Sequence, residues 1–391
     1  MARILIKKER LITLNQLIKF LHDWRVFLIF LIFVGLLNTV FVVAQLANQE
    51  IKQLQNLPPT PRRTGPFYAK GIYISSWTAS EESMVDQLIN LIQKKGLNAV
   101  VIDIKDSTGW VAYNSQVPQI KVWGTQQIRI KNIEDLLKKF RSKKIYTIAR
   151  IAVFQDPVLA EKKPIFALKD KRNGKIWRDN KGLSWVDPAC QEVWDYNIAL
   201  AREAFTLGFD EVNFDYIRFP SDGQISNIIY PAWDGQAPKY EIIRRFFEYQ
   251  YKELKDLGPR SADLFGMTFW HTDTGFDMNI GQRLVDALDY FDYVCPMLYP
   301  SHFPDNFNGF KNPAEYPYEV INTSLKKAEP IFIDSEGKRR EKPKIRPWLQ
   351  AFDIGAIYTP EMIQKEKQAV IDNQGYGWIF WNARNDYSTV R

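Results

Sequence analysis

The chain has 391 residues, enough for one large domain or two average ones, and its 46% hydrophobic and 25% charged content with scattered Gly and Pro excludes a mostly disordered, collagen-like or polytopic membrane protein. The net charge is +7, but residues 1–25 alone supply +4, through Arg3, Lys7, Lys8, Arg10, Lys19 and Arg25 against Glu9 and Asp23. The +3 left for everything else is too little for a phosphate-binding face, so nucleic acid is excluded as a partner.

Behind that basic tail, positions 26–47 (VFLIFLIFVGLLNTVFVVAQLA) run for 22 residues without a charge. At roughly 1.5 Å per residue such a helix crosses the ~30 Å hydrocarbon core. The positive flank predicts a cytoplasmic tail at 1–25 and a bulk on the outer side. A cleaved signal peptide ending near Val42-Val43-Ala44 is the competing reading, but the apolar stretch and the segment before it are long for one. Residues 48–66 are polar and then Pro-rich (Pro58, Pro59, Pro61), a semi-rigid spacer ahead of a folded domain at 67–391.

In that domain apolar, strand-like runs occur at 71–77, 98–106, 145–154, 210–220, 263–270, 292–300, 345–352 and 375–383. Amphipathic helical stretches at 81–96, 132–144, 190–208, 240–258, 317–328 and 360–375 separate most of them, and Gly96, Gly208 and Gly258 stand where helices end. Eight near-continuous apolar strands alternating with helices predict a parallel sheet covered on its outside, closed as an α/β (β/α)₈ TIM barrel. No Gly-rich phosphate cradle follows the first strand.

A barrel of this kind builds its site at the C-terminal ends of the strands. The polar residues predicted there are Asp103, Lys105 and Asp106 on strand two, Arg150 on strand three, and Asn213, Asp215 and Arg218 on strand four. Trp270, His271 and Asp273 follow strand five, and Tyr299, Ser301 and His302 follow strand six. Trp348, Gln350 and Asp353 belong to strand seven, and Trp378, Trp381 and Asn382 to strand eight. No Glu stands at a strand end, since Glu211 begins strand four and belongs at the barrel bottom. Carboxylate chemistry therefore falls to Asp. Convergent carboxylates beside aromatic platforms suit glycoside cleavage, in which one carboxylate meets an oxocarbenium-like carbon and a second carboxyl protonates the leaving oxygen.

Asp215, on the same strand face as Asn213 and near Arg218, is the expected nucleophile; its alternative is a loop cap paired to Arg218. Asp273 is the first candidate for the acid and Asp353 the second, followed by Asp103 and Asp106. Asp103 could instead be an inward structural residue paired with Lys105 or Arg150. The long segment 155–189 reads either as a lid offering Trp177 or Trp185 to a sugar or as an insertion anchored by those tryptophans. Residues 302–316 form a second rim loop. Three histidines and two cysteines (Cys190, Cys295) make no metal-ligand or disulfide pattern, so no metal or cofactor is expected.

The segments NAVVIDIKDSTG (98–109), GFDEVNFDYIRFPSDG (208–223), DYVCPMLYPSHF (292–303), RPWLQAF (346–352) and GYGWIFWNA (375–383) resemble the bacterial "putative glycosyl hydrolase" domain family. The resemblance spans roughly 68–388 and implies a glycosidase-like barrel distantly akin to α-amylases. It places a nucleophilic Asp at the end of strand four, which is Asp215, and a further acidic residue after strand seven, which matches Asp353. The acid Glu expected after strand five is replaced by the WHTD turn (270–273). The expectation is a membrane-anchored, outward-facing glycoside hydrolase acting on an envelope polysaccharide, with a non-catalytic glycan-binding barrel as the alternative.

Overall fold

The computed structural model describes residues 67–390 except 273, 274, 335 and 342, together with Trp24. The chain divides into two compact units, Met1–Pro58 and Pro59–Arg391. The expected tail, apolar span and linker therefore lie outside the described residues, Trp24 apart. Among the described residues no helix is long and apolar enough to cross a membrane.

Eight parallel strands close into a barrel: β1 (Ala69–Ile74), β2 (Ala99–Lys105), β3 (Tyr146–Ala152), β4 (Glu211–Asp215), β5 (Arg260–Phe265), β6 (Tyr293–Met297), β7 (Trp348–Gln350) and β8 (Gly377–Trp381). Each pairs with the next, and β8 pairs with β1 to shut the ring. At that seam Gly377 has φ +91, and a Cβ there would stand 1.9 Å from the carbonyl oxygen of Ala69. Only glycine lets β8 approach β1 so closely.

Outside run α1 (Glu82–Lys94), α2 (Ile133–Ser142), α3 (Gln191–Leu207), α4 (Lys239–Leu254), α5 (Pro317–Ala328) and α6 (Pro360–Asp372). Their ends follow local chemistry: Asn132 caps α2 by accepting the Asp135 N–H, and Gly208 closes α3 in the left-handed conformation. Gly258 caps nothing, because α4 stops at Leu254. Outward-facing residues such as Val100, Ile102, Val212 and Leu264 pack under the helices. Inward-facing ones such as Tyr73, Val101, Ile148, Cys295 and Ile379 fill the barrel.

The barrel floor is sealed. Glu211 accepts hydrogen bonds from Ser261 Oγ (2.6 Å) and Tyr146 Oη (3.1 Å) and pairs with the guanidinium of Arg346, as its position at the start of β4 predicts. Phe67 stacks on Tyr146 below them, with ring centroids 4.3 Å apart.

Two excursions leave the frame. After β2 a short strand, Val111–Tyr113, pairs with Gln126–Ile130 beside the barrel. After β3, residues 167–186 fold back on themselves through isolated antiparallel bridges, the last joining Arg178 to Ser184.

Candidate active site

Strand parity decides which polar side chains enter the barrel. Arg150 lies in register with Asp103 on one side and Asn213 on the other. From this central position its guanidinium donates to Asp103 Oδ1 at 2.5 Å, is bonded to Asp215 Oδ2, and has Nε 3.7 Å from Asp263 Oδ2. One cation thus serves three carboxyls. Trp381 and Tyr73 flank it, with ring centroids 5.1 and 5.7 Å from the guanidinium carbon.

Each carboxyl has a distinct environment. Asp103 also accepts the Tyr73 hydroxyl at 2.5 Å and is buried at 2% exposure; burial raises its pKa against the pull of Arg150. Asp215 receives the backbone N–H of Tyr216 at 2.5 Å, and Tyr216 is held at φ +52, a conformation that costs a bulky residue about 1–3 kcal/mol. Asp263 accepts Trp348 Nε1 at 2.7 Å and Asn213 Nδ2 at 2.8 Å on one oxygen. Burial first, and then the charge of Asp215, push its pKa well above the usual carboxylate range in spite of Arg150. With two carboxylates already facing one guanidinium, ionising a third in this site is costly, which favours the protonated form of Asp263.

A cleft of about 370 Å³ opens over this cluster. Asp215, Asp263 and Arg150 form its floor, Trp348, Trp381 and Tyr299 one wall, and Tyr216, Phe265 and Met267 the other. His302, Phe303 and Lys181 stand at its rim. Burial foremost, with Asp215 nearby, raises the Tyr299 pKa, so its hydroxyl stays protonated. A second hollow of about 660 Å³ shares His302 and Trp381 and continues over Asp353, Asn382 and Arg384.

Several expected site residues are elsewhere. Lys105 is turned out of the barrel by a bulge between it and Asp103, and is fully buried against α3, paired with Asp156 at 2.7 Å and bonded to Asn197. Asp103 therefore pairs with Arg150. Asp106 binds Arg129 at 2.6 Å outside the cleft. Arg218 does not hold Asp215, a task that falls to Arg150. Its guanidinium lies between the rings of Phe265 (4.6 Å) and Trp185 (4.8 Å) and donates to the Phe219 carbonyl.

Gln350 is wholly buried and ties the Ser301 N–H to the Phe352 carbonyl, bracing the ends of β6 and β7 without facing the cleft. Trp270 donates to Ser324 Oγ on α5, and His271 packs on Phe276; neither lines the cleft. Trp378 faces outward into the shell under the helices. Asp353 is exposed in the second hollow and accepts the Tyr358 N–H, whereas Asp273 lies outside the described residues. Trp177 and Trp185 are both buried, so they anchor the 155–189 segment and present no face to a sugar.

Asp263 is the residue that pattern reading missed. Beginning strand five at 263 put it at the barrel bottom, but β5 begins at Arg260, and the stretch after Phe265 turns into a 3₁₀ helix, Gly266–Phe269. The alternation Ser261, Asp263, Phe265, which shares its face with Asn213 opposite Ser261 on β4, is the available signal.

A family model described as "Putative glycosyl hydrolase domain" matches residues 71–387. No curated protein matches. Among solved structures, a hypothetical protein from Ruminiclostridium thermocellum ATCC 27405 is 37% identical over 49% of this chain and 97% of its own, with a TM-score of 0.46. The PgaB (BpsB) glycoside hydrolase domain from Bordetella bronchiseptica shares the fold at 12% identity, covering 81% of this chain and 94% of that one, with a TM-score of 0.58. The hyperthermostable endo-1,4-beta-D-mannanase from Thermotoga petrophila RKU-1 does so at 12% identity, covering 83% and 92%, with a TM-score of 0.50. The matched span contains all eight barrel strands but for the first two residues of β1, together with the whole Asp103–Arg150–Asp215–Asp263 cluster, and the chain belongs to this glycosyl hydrolase domain family.

Proposed function

We propose that the protein hydrolyses glycosidic bonds in a polysaccharide of the cell envelope or its surroundings, using Asp215 and Asp263 as its working carboxyls. One observation carries the reading: two carboxyls on the cleft floor share one guanidinium, and burial with the neighbouring Asp215 pushes Asp263 well above the usual carboxylate range. Asp215, oriented by Arg150 and the Tyr216 N–H, meets positive charge developing at the anomeric carbon. Asp263 gives its proton to the glycosidic oxygen as the bond from that oxygen to the anomeric carbon breaks. Water then supplies hydroxyl to the carbon and a proton back to Asp263. Trp348, Trp381 and Tyr299 offer flat faces and a hydroxyl to the ring. Asp353, in the adjoining hollow, is placed to touch a neighbouring sugar of a longer chain. The uncharged 22-residue stretch behind a basic tail supports tethering to the membrane with the barrel on the outer side.

The test is product release from a panel of envelope glycans and aryl glycosides. Asp263→Asn is expected to lower kcat about 10²–10⁴-fold, and Asp215→Asn at least as much. Equal release from wild type and Asp215→Asn would overturn the assignment of Asp215, and no release from the wild type on any member of the panel would leave only a glycan-binding barrel.

A further inference from the structure

Lys181 brings to the cleft a positive charge that no carboxylate among the described residues pairs with. It lies just before Gly182 (φ +77), at the tip of the fold-back that the Arg178–Ser184 bridge closes, and lines the cleft rim with His302. The acids nearest to it in the chain are occupied by other donors. Asp179 Oδ1 accepts the N–H groups of Lys181 and Leu183, both at 2.9 Å, and Asp179 Oδ2 accepts Trp185 Nε1 at 3.1 Å. Asp222 accepts the Asn180 N–H at 3.0 Å.

Those bonds fix the turn and leave the ammonium with no ion pair or hydrogen bond among the described residues. The floor gives it no partner either, since Asp215 is held by Arg150 and Asp263 by Trp348 and Asn213. Its charge is felt across the mouth: burial, and then Lys181, lower the pKa of His302 and keep that imidazole neutral. An exposed, unpaired cation at the rim of a sugar-binding cleft favours negative charge on the ligand.

Resting on the hydrolase reading above, we propose that the substrate is an acidic saccharide whose anionic group, a carboxylate or a sulfate ester, is recognised by Lys181 at the rim. Lys181 sits away from the scissile bond and sets which sugar is accepted.

Three tetrasaccharides test this by calorimetry with the full-length chain carrying Asp215→Asn, so that no ligand is consumed: chitotetraose, its 6-O-sulfated form and a hyaluronan tetrasaccharide. Tighter binding of a charged ligand than of chitotetraose is expected. That preference should fall about 10-fold in Lys181→Ala, fall further in Lys181→Glu, return in Lys181→Arg, and shrink as salt is raised. The sulfated and carboxylated arms identify the group. Equal affinity for charged and neutral ligands, an equal loss on both in Lys181→Ala, or no binding of either charged ligand overturns the proposal. Hydrolysis by the wild-type chain is measured separately, so a failure of the catalytic reading appears as unchanged product release in Asp215→Asn, whatever the charge preference.

Discussion

Arg150 is the cation at the cleft floor, and the ionisation of Asp263 depends on how many anions compete for that guanidinium. Replacing Asp103 with Asn removes one negative charge and leaves Tyr73 an oxygen to donate to. The ionised form of Asp263 then becomes less costly and its pKa moves down toward the ordinary range. Under the proposed mechanism the alkaline limb of the kcat profile follows loss of that proton. In Asp103→Asn the limb should begin at lower pH than in wild type, and a pH–rate series reads this directly. An unmoved limb would detach Asp263 from the chemistry. Arg150 itself was legible in the sequence as a strand-end cation. Asp103 was legible as a possible partner, but Asp215 and Asp263 were not, because that depends on which neighbouring strands bring a carboxyl to the same height.

Among the elements, β2 shows where periodicity stops being a guide. Alternation predicts Asp103 and Lys105 on one face, but the bulge between them sends Lys105 outward, where Asp156 and the Ala152 carbonyl receive its ammonium. A one-residue irregularity leaves no trace in composition. Its energetic consequence is measurable: Lys105→Met strands the fully buried Asp156 without its cation and should cost about 3–5 kcal/mol in urea unfolding. In β5 the difficulty is phase. Arg260-Ser261-Ala262-Asp263 is too polar to announce a strand, and its charges are absorbed by partners distant in sequence, Asp292 for Arg260 and Trp348 with Asn213 for Asp263. Trp177 and Trp185 show the converse, since their residue type suits a sugar platform equally well but their place in the fold-back is interior.

At the scale of the molecule, the eight-strand barrel was readable because parallel strands covered on both faces need long apolar runs, and those runs survive in 98–106, 145–154 and 292–300 despite one functional residue in each. The same burial couples stability to pH. Asp263 has a folded-state pKa above its unfolded one, so it binds a proton more tightly when folded. Its contribution is full below the ordinary carboxylate range and is lost as pH rises through the raised value. The Tm of Asp263→Asn should therefore improve relative to wild type as pH climbs from about 4 toward 9, a trend that differential scanning calorimetry can follow.

The closed floor bears on traffic. Glu211, Arg346 and Tyr146 are each at most 2% exposed and leave no way through the base of the barrel. Among the described residues the barrel opens at the cleft end, and under the proposed mechanism a sugar leaving there stands in the path of the incoming water. Under the proposed mechanism, re-arming Asp263 waits for that exit, so departure of the first fragment and arrival of water would be sequential events in each turnover.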